Sequence, residues 1–248
     1  MTLPNFLHIG AAKAASSWLW RVCKEHPGIY VPASPDNVNF FTVHYHRGVE
    51  WYERTYFGDM GAQAAVGEFS NSYLIFAPAV ERIARDLPGV RLTVILRNPV
   101  ERAFLSWAHG HLKHKSAGMD ARKGIGIPFE RVLHHYGHAY FRMYIEPGFY
   151  ARHLERIFTR FPRERVLILL YDDLAADNAA VLRRFFGFLG VDVQFRSSLV
   201  GCDINPDTAD AVMQKWLSDD FRRELNEVYR EDRQRLEDLL GRDLSNWR

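Results

Sequence analysis

Apolar residues in this chain fall into short unbroken runs set between stretches of helical spacing, and that alternation narrows the possible folds more than any other feature. Phe6-Leu7-His8-Ile9-Gly10, Arg91-Leu92-Thr93-Val94-Ile95-Leu96 and Arg165-Val166-Leu167-Ile168-Leu169-Leu170 are continuous rather than alternating, as strands covered on both faces of a parallel sheet are. Ile29-Tyr30-Val31 and Ala65-Val66-Gly67-Glu68 predict two shorter strands. Helices are expected from Ser16 to the stop at His26-Pro27-Gly28, over Val49–Tyr56 and over Pro78–Leu87, the last closed by Pro88-Gly89. Further helices are expected from Pro99 or Val100 to about Lys113, over Tyr150–Phe161, over Asn178–Leu189 ending at Gly190, and beyond Pro206 around Leu225, Val228, Tyr229, Leu236, Leu239 and Leu240. Strands that alternate with helices predict an α/β fold of three layers, a mostly parallel central sheet flanked by helices. Ligands then belong at the carboxyl ends of the strands.

With 248 residues the chain is expected to form a single domain spanning 1–248, with no internal repeat or linker. Its 32 basic and 30 acidic residues leave a net charge of +2, which gives no general drive toward nucleic acid or a membrane surface, so any anion must be held by local placement. Two cysteines, Cys23 and Cys202, make neither a disulfide framework nor a zinc site and suit a reducing compartment. No basic n-region precedes an apolar stretch, and no run approaches the roughly 18 apolar residues of a membrane span; the expectation is a cytoplasmic protein without signal peptide or membrane helix. No motif specifies an oligomeric state.

Two places carry the chemistry of anion binding. In the first, the strand ending at Gly10 runs through Ala11-Ala12-Lys13-Ala14-Ala15 into a helix that opens with Ser16 and Ser17. The first N–H groups of a helix lack intrahelical partners and sit at the positive end of its dipole, so backbone, two hydroxyls and the Lys13 ammonium form a phosphate cradle. It is not a nucleotide-triphosphatase loop, since lysine precedes two alanines rather than Ser or Thr. In the second, Arg97 follows the buried strand Arg91–Leu96 and precedes the helix beginning near Pro99. Ala33 to Asn39 is a polar, proline-punctuated loop that leads into Phe40-Phe41, and the rings of Trp51, Tyr52, Tyr56 and Phe57 are expected to pack the core. His114 to Gly126 is expected to be a mobile loop. His134, His135 and His138 lack the partners at fixed spacing that a metal requires, so no metal is expected.

Taken together, these stretches resemble sulfotransferases that use 3′-phosphoadenosine 5′-phosphosulfate (PAPS), in particular the branch shared by heparan sulfate sulfotransferases and many bacterial enzymes. The resemblance runs through His46-Arg47-Gly48-Val49-Glu50-Trp51-Tyr52, Gly67-Glu68-Phe69-Ser70-Asn71-Ser72-Tyr73, Leu96-Arg97-Asn98-Pro99-Val100-Glu101-Arg102-Ala103, Phe161-Pro162-Arg163-Glu164 and Phe188-Leu189-Gly190-Val191, in family order. It implies a P-loop-like fold. It also places the 5′-phosphosulfate on Lys13, Ala14, Ala15, Ser16, Ser17 and Trp18, with Lys13 stabilising charge on the oxygen between phosphorus and sulfur. The 3′-phosphate falls on Arg97 and on a serine whose place is Leu105 here, with Ser106 beside it. The family's glutamate base falls on Asn37, which cannot abstract a proton; Asp36 and His109 become the candidates, with His44 and His46 behind them. The family's lysine after Gly-Glu is Phe69. The implied reaction is sulfuryl transfer to a hydroxyl or amine of a carbohydrate, phenolic or other small acceptor, leaving adenosine 3′,5′-bisphosphate. A noncatalytic nucleotide-binding homologue and a P-loop kinase are the alternatives, the latter because Ile168-Leu169-Leu170-Tyr171-Asp172 imitates a magnesium-binding strand.

Overall fold

A computed structural model describes residues 3–33, 37–116, 129, 141–202, 204 and 217–247. Among these, the apolar runs become five strands of one sheet: β1 (Phe6–Gly10), β2 (Ile29–Tyr30), β3 (Ala65–Phe69), β4 (Arg91–Leu96) and β5 (Val166–Leu170). Their order is β2-β3-β1-β4-β5, and every pairing is parallel. After β1 the chain goes to the edge strand β2, fills in with β3 beside β1, and then crosses to β4 and β5 on the other side, so the carboxyl ends of β1 and β4 flank the point where the order reverses, the usual ligand crevice of such sheets.

The helices that accompany the strands are α1 (Ser16–Glu25), α2 (Val49–Tyr56), α3 (Ala77–Asp86), α4 (Pro99–Ser116), α5 (Tyr150–Phe158), α6 (Tyr171–Ala176), α7 (Asn178–Leu189) and α8 (Asp219–Leu240). Most boundaries follow the sequence signals. Pro78 lies in the first turn of α3, and Gly190 closes α7 in the left-handed conformation that only glycine adopts without strain. Helix α4 runs to Ser116, three residues past the expected end at Lys113 and into the stretch expected to be a loop, with no glycine or proline between Lys113 and Ser116 to stop it. The rest of that stretch, Asp36 and the histidines at 134, 135 and 138 lie outside the described residues. Among the described elements that carry no sequence signature are a wide helical turn over Phe40–His44 and α6, which begins directly at the end of β5.

Packing divides the chain into two units, Met1–Leu96 with Leu154–Ile204, and Arg97–His153 with Asn205–Arg248. The first holds the sheet. Phe6, Leu7, Ile9, Val94, Ile95 and Leu96 are all buried there. At Gly67, paired with Phe6 across β1 and β3, an added Cβ would lie 2.4 Å from the Phe6 ring, so only glycine lets the strands keep their spacing. His8, inside β1, bonds Thr93 Oγ1 at 3.1 Å, and burial drives its pKa down to about 3, so it stays neutral. The second unit is built on Val100, Phe104, Trp107, Phe129, Ile145, Phe221, Leu225 and Tyr229. Within it the Asp232 carboxylate accepts the N–H groups of Ala151 and Arg152 at 2.9 and 3.0 Å, capping the start of α5.

Candidate active site

The cradle is formed by backbone that ordinary residues avoid. Lys13 and Ala15 have φ of 68° and 67°, both left-handed, a conformation that costs a non-glycine residue on the order of 1 kcal/mol or more and persists where the surroundings impose it. The Ala11 N–H donates to the Ile95 carbonyl at 2.8 Å, which ties the turn to β4. Helix α1 then starts with Ala15 at its cap position, giving no side-chain hydrogen bond, and with no acidic residue in its first turn. Such a helix start presents N–H groups and a positive dipole to whatever anion lies before it. Ser16 is buried, Ser17 exposed and Lys13 half-buried. The Trp18 indole is buried and its Nε1–H has no hydrogen-bond partner. A lysine and a helix start without a side-chain cap or an acid are a donor set that fits an anionic group such as a phosphosulfate.

One wall of the cradle comes from two polar segments. Asn71, just beyond β3, donates from Nδ2 to Ser16 Oγ at 3.2 Å and to Asn37 Oδ1 at 3.1 Å, and its backbone N–H also reaches Asn37 Oδ1 at 3.2 Å. With two donors already on that oxygen, Asn37 has no basic function to offer, in agreement with its chemistry as an amide. The next residues form the wide turn, in which the Asn39 carbonyl accepts from the N–H groups of Thr42, Val43 and His44 at 3.3, 2.8 and 3.4 Å. Helical turns of this width recur at functional sites. The His44 ring lies 5.7 Å from that of Trp51, and His46 is exposed.

Beneath that turn lies Glu68, the penultimate residue of β3 and fully buried. Its Oε1 accepts the hydroxyls of Tyr73 at 2.7 Å and Tyr52 at 3.2 Å, and its Oε2 accepts Ser70 Oγ–H at 2.7 Å. Burial raises the carboxyl pKa to about 7, the three hydroxyl bonds opposing the rise. The only sequence signal for this cluster is a polar run, Glu68 and Ser70 to Tyr73, directly following apolar strand residues.

The second unit carries the other predicted residues, and its chemistry differs. The Arg97 side chain is buried and its Nε–H donates to Glu101 Oε2 at 3.0 Å. The Tyr150 hydroxyl donates to the Arg97 carbonyl at 2.8 Å, and burial pushes that phenol up to about 12. Helix α4 is capped from within, Asn98 Oδ1 accepting the N–H of Val100 at 3.0 Å and of Glu101 at 3.5 Å. The helix start that the sequence placed beside Arg97 therefore spends its donors on Asn98, leaving an anion there the guanidinium. Ser106 and Leu105 are half-buried on α4, and His109 is exposed on the same helix. Among the described residues no cluster of three or more His, Cys, Asp or Glu is placed to hold a metal, and no helix is long and apolar enough to cross a membrane.

Sheet order and the turn from β1 into α1 together define an α/β protein of P-loop-like fold. Residues 4–231 match the sulfotransferase domain family; the chain belongs to that family, enzymes that transfer sulfuryl groups. A solved sulfotransferase from Alicyclobacillus acidocaldarius is similar over 100% of this chain and 99% of its own, at 30% identity and a TM-score of 0.78. Human bifunctional heparan sulfate N-deacetylase/N-sulfotransferase 3 is 30% identical over 210 residues, covering 76% of this chain and 22% of that protein. Human heparan sulfate glucosamine 3-O-sulfotransferase 6 is 28% identical over 188 residues, covering 76% of this chain and 52% of that one. The chain thus spans about a fifth to a half of the length of these curated relatives.

Proposed function

We propose that this chain transfers a sulfuryl group from PAPS to a hydroxyl or amine of a carbohydrate, phenolic or other small acceptor, by in-line displacement without a covalent enzyme intermediate. The observation that carries the reading is the start of α1, uncapped and free of acidic residues in its first turn, with Lys13 in the strained turn before it. PAPS supplies a sulfuryl group already activated by its attachment to phosphate. Lys13, Ala14, Ala15, Ser16, Ser17 and Trp18 hold the phosphosulfate. The Lys13 ammonium stabilises negative charge on the departing phosphate oxygen, a preorganised contribution worth about 3 kcal/mol. Arg97, with Ser106, binds the 3′-phosphate.

Positioning and charge stabilisation carry most of the rate. A general base adds about 10²–10⁴-fold; Asp36 and His109 are the candidates, since the amide of Asn37 is excluded by chemistry. The family relatives named for N- and O-sulfation of heparan sulfate make a carbohydrate amine or hydroxyl the first acceptors to try.

Calorimetric titration with adenosine 3′,5′-bisphosphate, followed by incubation with radiolabelled PAPS and a panel of saccharides, phenols and amines, tests the proposal. Tight bisphosphate binding and label on one acceptor class support it. Binding without transfer to any acceptor favours a noncatalytic homologue, and magnesium-dependent ATP binding with no bisphosphate binding overturns the reading in favour of a kinase.

A further inference from the structure

The cluster around Glu68 is wired in one direction. Ser70 Oγ donates to Glu68 Oε2 and accepts the backbone N–H of Asn39 at 2.7 Å; Tyr73 Oη donates to Oε1 and accepts the backbone N–H of Phe41 at 3.2 Å. Two main-chain amides, that of Asn39 just before the turn over Phe40–His44 and that of Phe41 within it, thus end, each through one hydroxyl, on the same carboxylate. A hydroxyl has one hydrogen, so Ser70 and Tyr73 can each accept from the turn and still donate only if the group below accepts from both. A carboxylate does so. The same turn is stapled at its surface by Ser72 Oγ–H to Asn39 Oδ1 at 2.7 Å, with Thr42 Oγ1 3.0 Å from Ser72 Oγ. Its leading edge, Asn37, meets the cradle through Asn71 and Ser16.

We infer that Glu68 is a positioning residue for sulfuryl transfer: by collecting the hydroxyls of Ser70 and Tyr73 it fixes the segment Asn37–His44 against the anion cradle, in the geometry the acceptor needs. Glu68 itself, buried beneath the turn, touches neither donor nor acceptor. The inference rests on the proposed reaction for its kinetic consequence, but its structural half stands on the hydrogen bonds alone. The titratable groups facing Glu68 among the described residues are the phenols Tyr52 and Tyr56 of α2 and Tyr73, all raised by burial and therefore neutral near pH 7. Glu68 is then the group of this cluster that titrates in the neutral range, and only its ionised form accepts all three hydroxyls without bringing a competing proton into the cluster. Transfer is expected to rise with pH as the carboxyl, at about 7, deprotonates.

Amide hydrogen exchange on the ligand-free protein separates the two halves. Glu68→Gln places an amide donor against hydroxyls that must themselves donate. It should speed exchange at Asn39 and Phe41 by about tenfold or more while leaving the amides of β1 and β4 at wild-type rates. Turnover should fall by about 10- to 100-fold, the neutral limb of its pH profile should vanish, and affinity for adenosine 3′,5′-bisphosphate should stay within about twofold. Ser70→Ala cuts only the Asn39 arm and Tyr73→Phe only the Phe41 arm, so each should release its own amide, and these variants carry the test if Glu68→Gln does not fold. Wild-type exchange at both amides in the folded variants overturns the inference, as does a pH profile that Glu68→Gln leaves unchanged. A wild-type protein that fails to bind the bisphosphate refutes the proposed reaction instead, and leaves the exchange result standing.

Discussion

The chain crosses from strand to helix twice at places suited to an anion, and the two junctions satisfy their helix starts in opposite ways. After β1 the turn bends Lys13 and Ala15 into left-handed backbone, and α1 begins without a capping side chain or an acid. After β4, Asn98 caps α4, Pro99 opens it, and Glu101 places a carboxylate in the first turn on the side chain of Arg97. The second arrangement is what a helix does for its own stability, through a cap and a favourable charge near the dipole. The first forgoes both, and the difference locates the chemistry. On the proposed reading, the helix start without a side-chain cap serves binding and catalysis, whereas the one capped by its own sequence serves folding and leaves recognition to the guanidinium of Arg97.

If that contrast is right, Lys13→Ala produces the largest kinetic effect. Turnover with PAPS should fall by about 10²–10³-fold, as when a preorganised donor to a developing anion is removed, while bisphosphate affinity changes far less, because the product lacks the sulfuryl group. Equal losses in both, measured by radiolabel transfer and calorimetry, would mean Lys13 serves binding alone. The buried carboxylate beside the cradle gives an effect of similar size on stability. Glu68 titrates at about 7 when folded against an ordinary 4.5, so between these values the folded chain holds the extra proton and stability falls as pH rises, by on the order of 3 kcal/mol across the window. Urea melts at pH 5 and pH 8 should show that slope in the wild type and its loss in Glu68→Gln. Stability and turnover then run in opposite directions with pH, a pattern that a purely structural carboxylate does not give. Arg97→Ala should weaken bisphosphate binding by about 10- to 100-fold, the range for a hydrogen bond to a charged group; unchanged affinity would remove the second junction from the site.

How much of this the sequence disclosed follows from the range of the interactions involved. Strands β1, β4 and β5 were legible because unbroken apolar runs have few alternatives, and the ends of α3 and α7 because Pro78 and Gly190 act through their own backbone preferences. The cradle was legible as a local pattern, small residues, a lysine and two hydroxyls at a helix start. The Asn71–Asn37–Ser16 contact and the Glu68 hub were not, since they join residues 55 and 34 positions apart in the first case and connect three segments in the second. Such polar pairings leave no periodicity. Asn98 was visible beside Pro99, yet its closing of α4 depends on a side-chain rotamer that spacing does not reveal.

Smaller effects come from making each junction imitate the other. Ser17→Asp puts an acid in the first turn of α1, where the dipole should return about 0.3–1 kcal/mol of stability while the added negative charge competes with the phosphosulfate. Melting temperature should rise slightly and bisphosphate affinity fall. Asn98→Ala does the reverse to α4. Removing that cap should cost about 1 kcal/mol, seen as a lower urea midpoint. If the open helix start alone made an anion site, the uncapped α4 would also gain affinity for inorganic phosphate. No such gain is expected, because Glu101 still occupies the first turn and the backbone before α4 lacks the left-handed residues that shape the cradle. A measured gain would show that capping, rather than the strained turn, distinguishes the two junctions.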